Sequence, residues 1–214
     1  MTNQPTPQEV LRDKVSEYWK IVYQCRQHYL YCLRLHKPKD ELEAKYLAVD
    51  RFMNNTRHLY WRVLIIEIAK LYSTSRNDYY NIQNFTNQFK ADQIFGWVQV
   101  NHETLQEWQS FLDTNQMLLQ TIRGLRNRFY GHTDTPAQKA EVEYDDLTIE
   151  QIEPLIAFAE QLLKVIYLSA FDSDVSLRVE YHEGDFDFIS ILAKEKQNRI
   201  KEILGPRFTI EGEP

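Results

Sequence analysis

Glycine is in short supply: six residues among 214, against a usual share of about 7%. Few glycines mean few tight turns, which weighs against a many-stranded β architecture and favours long helices. Cysteine is scarcer still, with only Cys25 and Cys32. Seven apart on one helix, they stand about 10 Å apart along the axis, beyond the roughly 7 Å between Cα atoms that a disulfide tolerates. They read as two core thiols in a reducing compartment. Clean apolar runs are missing as well. Residues 63–72 carry Glu67 and Lys70, and residues 155–171 carry Glu160 and Lys164, so neither supplies the roughly 20 apolar residues of a bilayer span. The opening residues 1–9 are polar and contain proline, unlike a secretory leader. A soluble, cytoplasmic chain without membrane contact is the expectation.

Two chemical classes are also missing. No GxxxxGK[ST] segment or glycine-rich phosphate loop occurs, which weakens any nucleotide-triphosphatase reading. Histidines 28, 36, 58, 102 and 182 show no paired ligand spacing, and Cys25 with His28 is only half a zinc site. No metal and no cofactor are expected.

What the chain does have is rings and helical periodicity. Hydrophobic residues make up 43% and aromatics 13%, including 13 Tyr and 4 Trp, enough for a sizeable core with amphipathic rings at its edge. Apolar residues recur at steps of three or four over residues 9–36, with Val10, Tyr18, Ile21 and Cys25 in phase. Lys37-Pro38-Lys39-Asp40 breaks that pattern, and Asp40 is placed to cap a second long helix over 41–72. A shorter helix is expected over 79–89. A long one is expected from Asn101 or Thr104, where Thr104-Leu-Gln-Glu107 fits a capping box, to Gly131. Thr148-Ile-Glu-Gln151 is a second such box, opening a helix to Phe171 with Pro154 in its first turn. Residues 175–181 fit a short strand or irregular arm, and 186–204 a charged terminal helix stopped by Gly205-Pro206. The division expected is an all-α bundle over 1–171 and a C-terminal arm with its helix over 172–214.

The net charge of −6 argues against a broadly basic nucleic-acid coat, so local charge has to decide. Between Asp113 and Asp134 there is no acid, yet Arg123, Arg126, Arg128 and His132 all fall there. That is a local positive site where a phosphate can rest. On a straight helix Arg126 and His132, six apart, lie on different faces. Gly131 suits the left-handed residue that ends a helix and reverses the chain, which brings His132 back over Asn127 and beside Arg126. Such a trio fits RNA cleavage without a metal. Histidine, with an ordinary pKa near 6.5, takes the proton of the ribose 2′-hydroxyl. A guanidinium stabilises the charge that grows on the phosphate, and an amide orients either group. Tyr130 stands four residues after Arg126 and can stack on a base; Arg123 and Arg128 can touch neighbouring phosphates. Asp134 is placed either to fix the His132 ring or to serve a turn. The plainer alternative is a surface arginine and a capping histidine, with Arg123 and Arg128 solvated and Tyr130 packed.

Arg126-Asn127-Arg-Phe-Tyr-Gly-His132 resembles the signature of HEPN domains, an Arg and a polar residue followed four to six positions later by a His. The order of the helices over about 45–171 resembles the AbiU-type branch, linked to bacterial abortive infection by phage. The resemblance implies a HEPN-like antiparallel helical bundle that acts as a homodimer, with two motifs facing each other in one composite site. It makes Arg126 and His132 the catalytic pair and Asn127 their support, cutting an RNA substrate to a 2′,3′-cyclic phosphate and a 5′-hydroxyl. It also admits an antitoxin or other regulatory partner protein. Two alternatives stand beside it: a non-catalytic interaction or nucleotide-binding module, and the neutralising member of a two-gene system.

Overall fold

The computed structural model of the chain describes residues 4–75, 78–127, 147–175, 179 and 181–205. Eight α-helices account for most of them: α1 Pro7–His36, α2 Glu41–Val49, α3 Arg51–Leu71, α4 Ile82–Asn87, α5 His102–Thr114, α6 Gln116–Leu125, α7 Glu153–Phe171 and α8 Asp187–Leu204. The chain is all-α, and among the described residues no strand forms. One isolated antiparallel bridge joins Tyr72 to Asn81.

The helix α1 is the spine. Thr6 and Glu9 cap it reciprocally, with the Thr6 N–H donating to Glu9 Oε2 at 2.7 Å and the Glu9 N–H to Thr6 Oγ1 at 3.3 Å. Pro7 follows where its missing donor costs least. The α1 stripe of Leu11, Val15, Tyr18, Val22, Cys25 and Cys32 is buried, and α3 and α7 pack along it while α6 lies on α3. Tyr18 stacks on Phe85 with centroids 4.6 Å apart, and its oxygen accepts the Asn81 N–H at 2.9 Å. Arg26 ties α1 to α7, its guanidinium reaching Glu160 at 2.8 Å and Glu153 at 2.5 Å.

Two helices expected to be continuous are each broken at one polar residue that lies between the two new ends. Instead of one helix over 41–72, the chain stops at Asp50, whose ψ of 116° is extended. Its N–H donates to Tyr46 at 2.9 Å and so closes α2, while its Oδ1 accepts from Met53 N–H at 3.0 Å and opens α3. Apolar periodicity runs across the joint; a good N-cap residue overrides it. Likewise the helix expected to reach Gly131 is interrupted at Asn115, whose Nδ2 donates to Phe111 O at 2.8 Å. Thr104 is not a cap either. Asn101 Oδ1 accepts the Thr104 N–H at 2.7 Å, so α5 starts a turn earlier. The helix expected over 79–89 shrinks to α4 because residues 79–81 are extended or bent and Asn81 caps it.

Between α4 and α5 a run of turns drops Phe95 and Val98 into the core. Gly96 is required there: a Cβ would lie 2.6 Å from the Lys90 carbonyl oxygen and 2.7 Å from that of Ala91. Before α7, Gln151 Oε1 accepts the Thr148 N–H at 2.8 Å, as the capping box predicts, and a single 3-10 turn leads into the helix. The stretch Ile149–Phe171 is by length and composition alone apolar enough to cross a membrane. Its Leu155, Ile156, Ala159, Leu162 and Ile166 are buried inside this bundle.

The C-terminal segment is docked. Phe186, Ile189 and Ala193 form a second small core with Leu35, Tyr46 and Met53. Beneath it lies a buried ion pair, Arg34 Nη2 to Glu43 Oε2 at 2.8 Å. Glu43 also accepts the Lys39 N–H at 2.9 Å and the Ser190 hydroxyl. Burial pushes the Glu43 carboxyl up, but these donors outweigh it and hold its pKa below the ordinary value.

Candidate functional site

The position of Arg126 is set by what α6 buries. Leu119, Ile122 and Leu125 face the core, and α6 rests on α3, so the next turn carries Arg126 outward. Arg123 reaches back and donates from Nη1 to Tyr72 O at 2.9 Å, closing the carbonyl end of α3. Its partial burial lowers its pKa, with ample margin for it to stay charged. Tyr72 in turn donates its hydroxyl to Leu155 O at 2.6 Å. Arg123, Tyr72 and Leu155 therefore link α6, α3 and α7 directly below the helix end.

At that end the backbone widens into a π-type turn over Arg126 and Asn127, a local geometry frequent at functional sites. Arg126 keeps helical angles (φ −56°, ψ −48°). Its Nη1 donates to Asn127 Oδ1 at 3.1 Å. The amide thus holds the guanidinium, and both side chains are exposed. No acid lies between Asp113 and Asp134 to neutralise them from within their own stretch. Gly124, one turn below, has nothing within 4 Å of where a Cβ would stand. The structure brings Arg126 and Asn127 together and turns Arg123 toward the helix–helix junction. Arg128, Tyr130, Gly131, His132 and Asp134 lie outside the described residues, and so does the expected glycine bend. Among the described residues no group of three or more His, Cys, Asp or Glu is placed to hold a metal ion.

A concave feature lies elsewhere, and the sequence did not announce it. A cleft of about 930 Å³ opens between the C-terminal end of α1, the first half of α3 and the turn before α7. His36 and Lys37 line one wall, Arg57, His58, Trp61 and Arg62 another. Burial lowers the His36 pKa, its hydrogen bond to Cys32 O at 2.8 Å raises it, and nearby Arg57 and His58 lower it again, for a net decrease. The legible signal was an acid-free interval: residues 51–66 contain Arg51, Arg57, His58 and Arg62 and neither Asp nor Glu.

In comparison with protein families, the model of the family described as AbiU2 (HEPN_AbiU2) matches residues 9–189. Comparison with curated proteins and with solved structures finds no match. The matched span takes in α1 and the start of α8, well beyond the 45–171 over which the resemblance was drawn from the sequence.

Proposed function

The chain belongs to the AbiU2 family of HEPN domains, and on that footing we propose that it is a metal-independent endoribonuclease of phage-defence or toxin type. The observation that carries the proposal is the guanidinium of Arg126, exposed at a helix end and held by the Asn127 amide, six residues before a histidine in a family match spanning both. In this reading His132 takes the proton from a ribose 2′-hydroxyl. The 2′-oxygen attacks phosphorus, the bond to the 5′-oxygen breaks, and that oxygen picks up a proton to leave as a 5′-hydroxyl. Arg126 neutralises the oxyanions that gain charge on the way, and Asn127 keeps it aimed. Arg128 and Tyr130 are the residues assigned to the flanking phosphates and a base. Two copies bring their helix ends together in a homodimer working in the cytoplasm, under the restraint of a partner protein.

The test is cleavage of RNA by purified protein in chelator. Wild type yields fragments with 2′,3′-cyclic phosphate ends; Arg126→Ala and His132→Ala each remove that activity while circular dichroism stays unchanged. Cleavage by the double variant at the wild-type rate overturns the assignment.

A further inference from the structure

Lys14, on α1, stands among rings and beside a neutral amide. Its Nζ lies 5.4 Å from the ring centre of Phe85, 5.8 Å from that of Tyr79 and 6.0 Å from that of Phe95. Phe85 and Phe95 belong to the core, while Tyr79 is exposed and marks the solvent edge of the cluster. Lys14 itself is half-buried. Glu17, one turn on along the same face of α1, is engaged by Lys20 at 2.5 Å and accepts from the Tyr80 hydroxyl at 3.3 Å. Among the described residues no Asp or Glu pairs with Lys14; its Nζ donates instead to Gln88 Oε1 at 3.0 Å. An ammonium carries three donors, and a neutral amide compensates its lost water less well than a carboxylate does. The rings attract the cation through their quadrupoles, but burial works against it and lowers the pKa of the group. An amine so placed holds more of its neutral, nucleophilic form than a solvated lysine. The same surroundings suit an acylated lysine. A secondary amide has a single N–H, for which the Gln88 oxygen is the acceptor, and a small acyl group finds Phe85 and Phe95 to pack against.

We propose that Lys14 is an acylation site of this chain, taking a small acyl group from an acyl phosphate. The amine nitrogen attacks the acyl carbon, and the bond from that carbon to the phosphate oxygen breaks. Phosphate leaves with the electron pair, and the nitrogen gives up one proton to solvent. Nothing is oxidised or reduced. The product exchanges a cation for a neutral amide where α1 meets α4 and the turns behind it. The proposal does not depend on RNA cleavage at the end of α6.

The experiment is incubation of the full chain with acetyl phosphate near neutral pH, with the acetylation rate of each lysine read by peptide mass spectrometry. In the folded protein Lys14 is expected to react about 5-fold faster, or more, than the exposed Lys45, Lys90 and Lys194. Against Lys20, whose pKa is raised by its bond to Glu17, the margin should be about 10-fold or more. In concentrated urea the five rates should converge, because the advantage belongs to the folded cluster and not to the neighbouring sequence. A folded-state rate for Lys14 at or below those of Lys45, Lys90 and Lys194 would assign the ring cluster to packing alone and overturn the proposal. So would a lead for Lys14 that persists undiminished in urea, since the cluster would then have no part in it.

Discussion

Arg123 donates a hydrogen bond to the carbonyl oxygen of Tyr72 at 2.9 Å, and by that bond the helix bearing Arg126 is fastened to the end of α3. A residue of the positive stretch therefore ties α6 to the end of α3. Arg123→Ala should cost about 1–2 kcal/mol, in the range of a charged hydrogen bond, read as a lower denaturant midpoint. Its RNA cleavage should fall with it, and Arg123→Lys should recover stability in part. A variant as stable as wild type would show that the bond contributes nothing.

Arg126 and Asn127 should part company in their kinetics. Removal of the charge in Arg126→Ala should lower cleavage by roughly 100-fold or more, as for loss of an oxyanion-stabilising donor. Asn127→Ala leaves the guanidinium in place and unaimed, and about a 10-fold loss is expected from looser positioning. Single-turnover rates on one RNA decide the order. Equal losses would show that the amide does more than orient.

The Tyr72 hydroxyl sits buried on Leu155 O at 2.6 Å. Tyr72→Phe removes that bond while Leu155 O, inside α7, keeps its helical donor, and should cost about 0.5–1.5 kcal/mol. Thermal melting of the two proteins at one pH is sufficient, and coincident curves would reject the prediction.

Two glycines should respond in opposite directions to alanine. At Gly96 the added methyl meets main-chain oxygens at 2.6 and 2.7 Å, and a loss of about 1–3 kcal/mol is expected from the forced backbone shift. At Gly124, inside a helix with open space around it, a gain of about 0.5–1 kcal/mol is expected. Urea unfolding of both variants checks the pair, and the same sign of change at both positions would refute it.

Glu43 gives the fold an acid limit. Its folded pKa is lowered, so its contribution is complete above the unfolded value of about 4.3 and fades as pH falls through the folded value. Glu43→Gln should weaken that acid dependence below about pH 4.3. At neutral pH it should also destabilise by about 3–5 kcal/mol, because Arg34 is left buried without its charge partner. Melting temperatures across the acid range would test both statements, and parallel profiles for the two proteins would contradict the linkage.

Fold class was legible because scarce glycine and periodic apolar residues leave few options besides helices, and caps at Asp40 and Thr148–Gln151 marked true starts. The breaks at Asp50 and Asn115 were not legible. A single residue set between two helices leaves the apolar period intact, and only backbone and hydrogen-bond geometry reveals it. The Arg126–Asn127 pair could be found from an acid-free interval next to a helix end. Arg123 belongs to the same charge pattern, and nothing in a linear sequence says that its guanidinium meets the carbonyl oxygen of Tyr72, 51 positions away. The cleft at Arg57–Arg62 was missed because α3 was read for its apolar second half and its charged first half was passed over.

Asp50 ends one helix and begins the next, which makes it the sole covalent hinge between α2 and α3 as well as their shared clamp. Since α8 rests on α2 and on a small core that also takes in Leu35 of α1 and Met53 of α3, that aspartate stands where the α8-covered side joins the Tyr18-centred core. Loosened there, the contact of α2 with α8 would be the first to give on heating, ahead of the Tyr18-centred core.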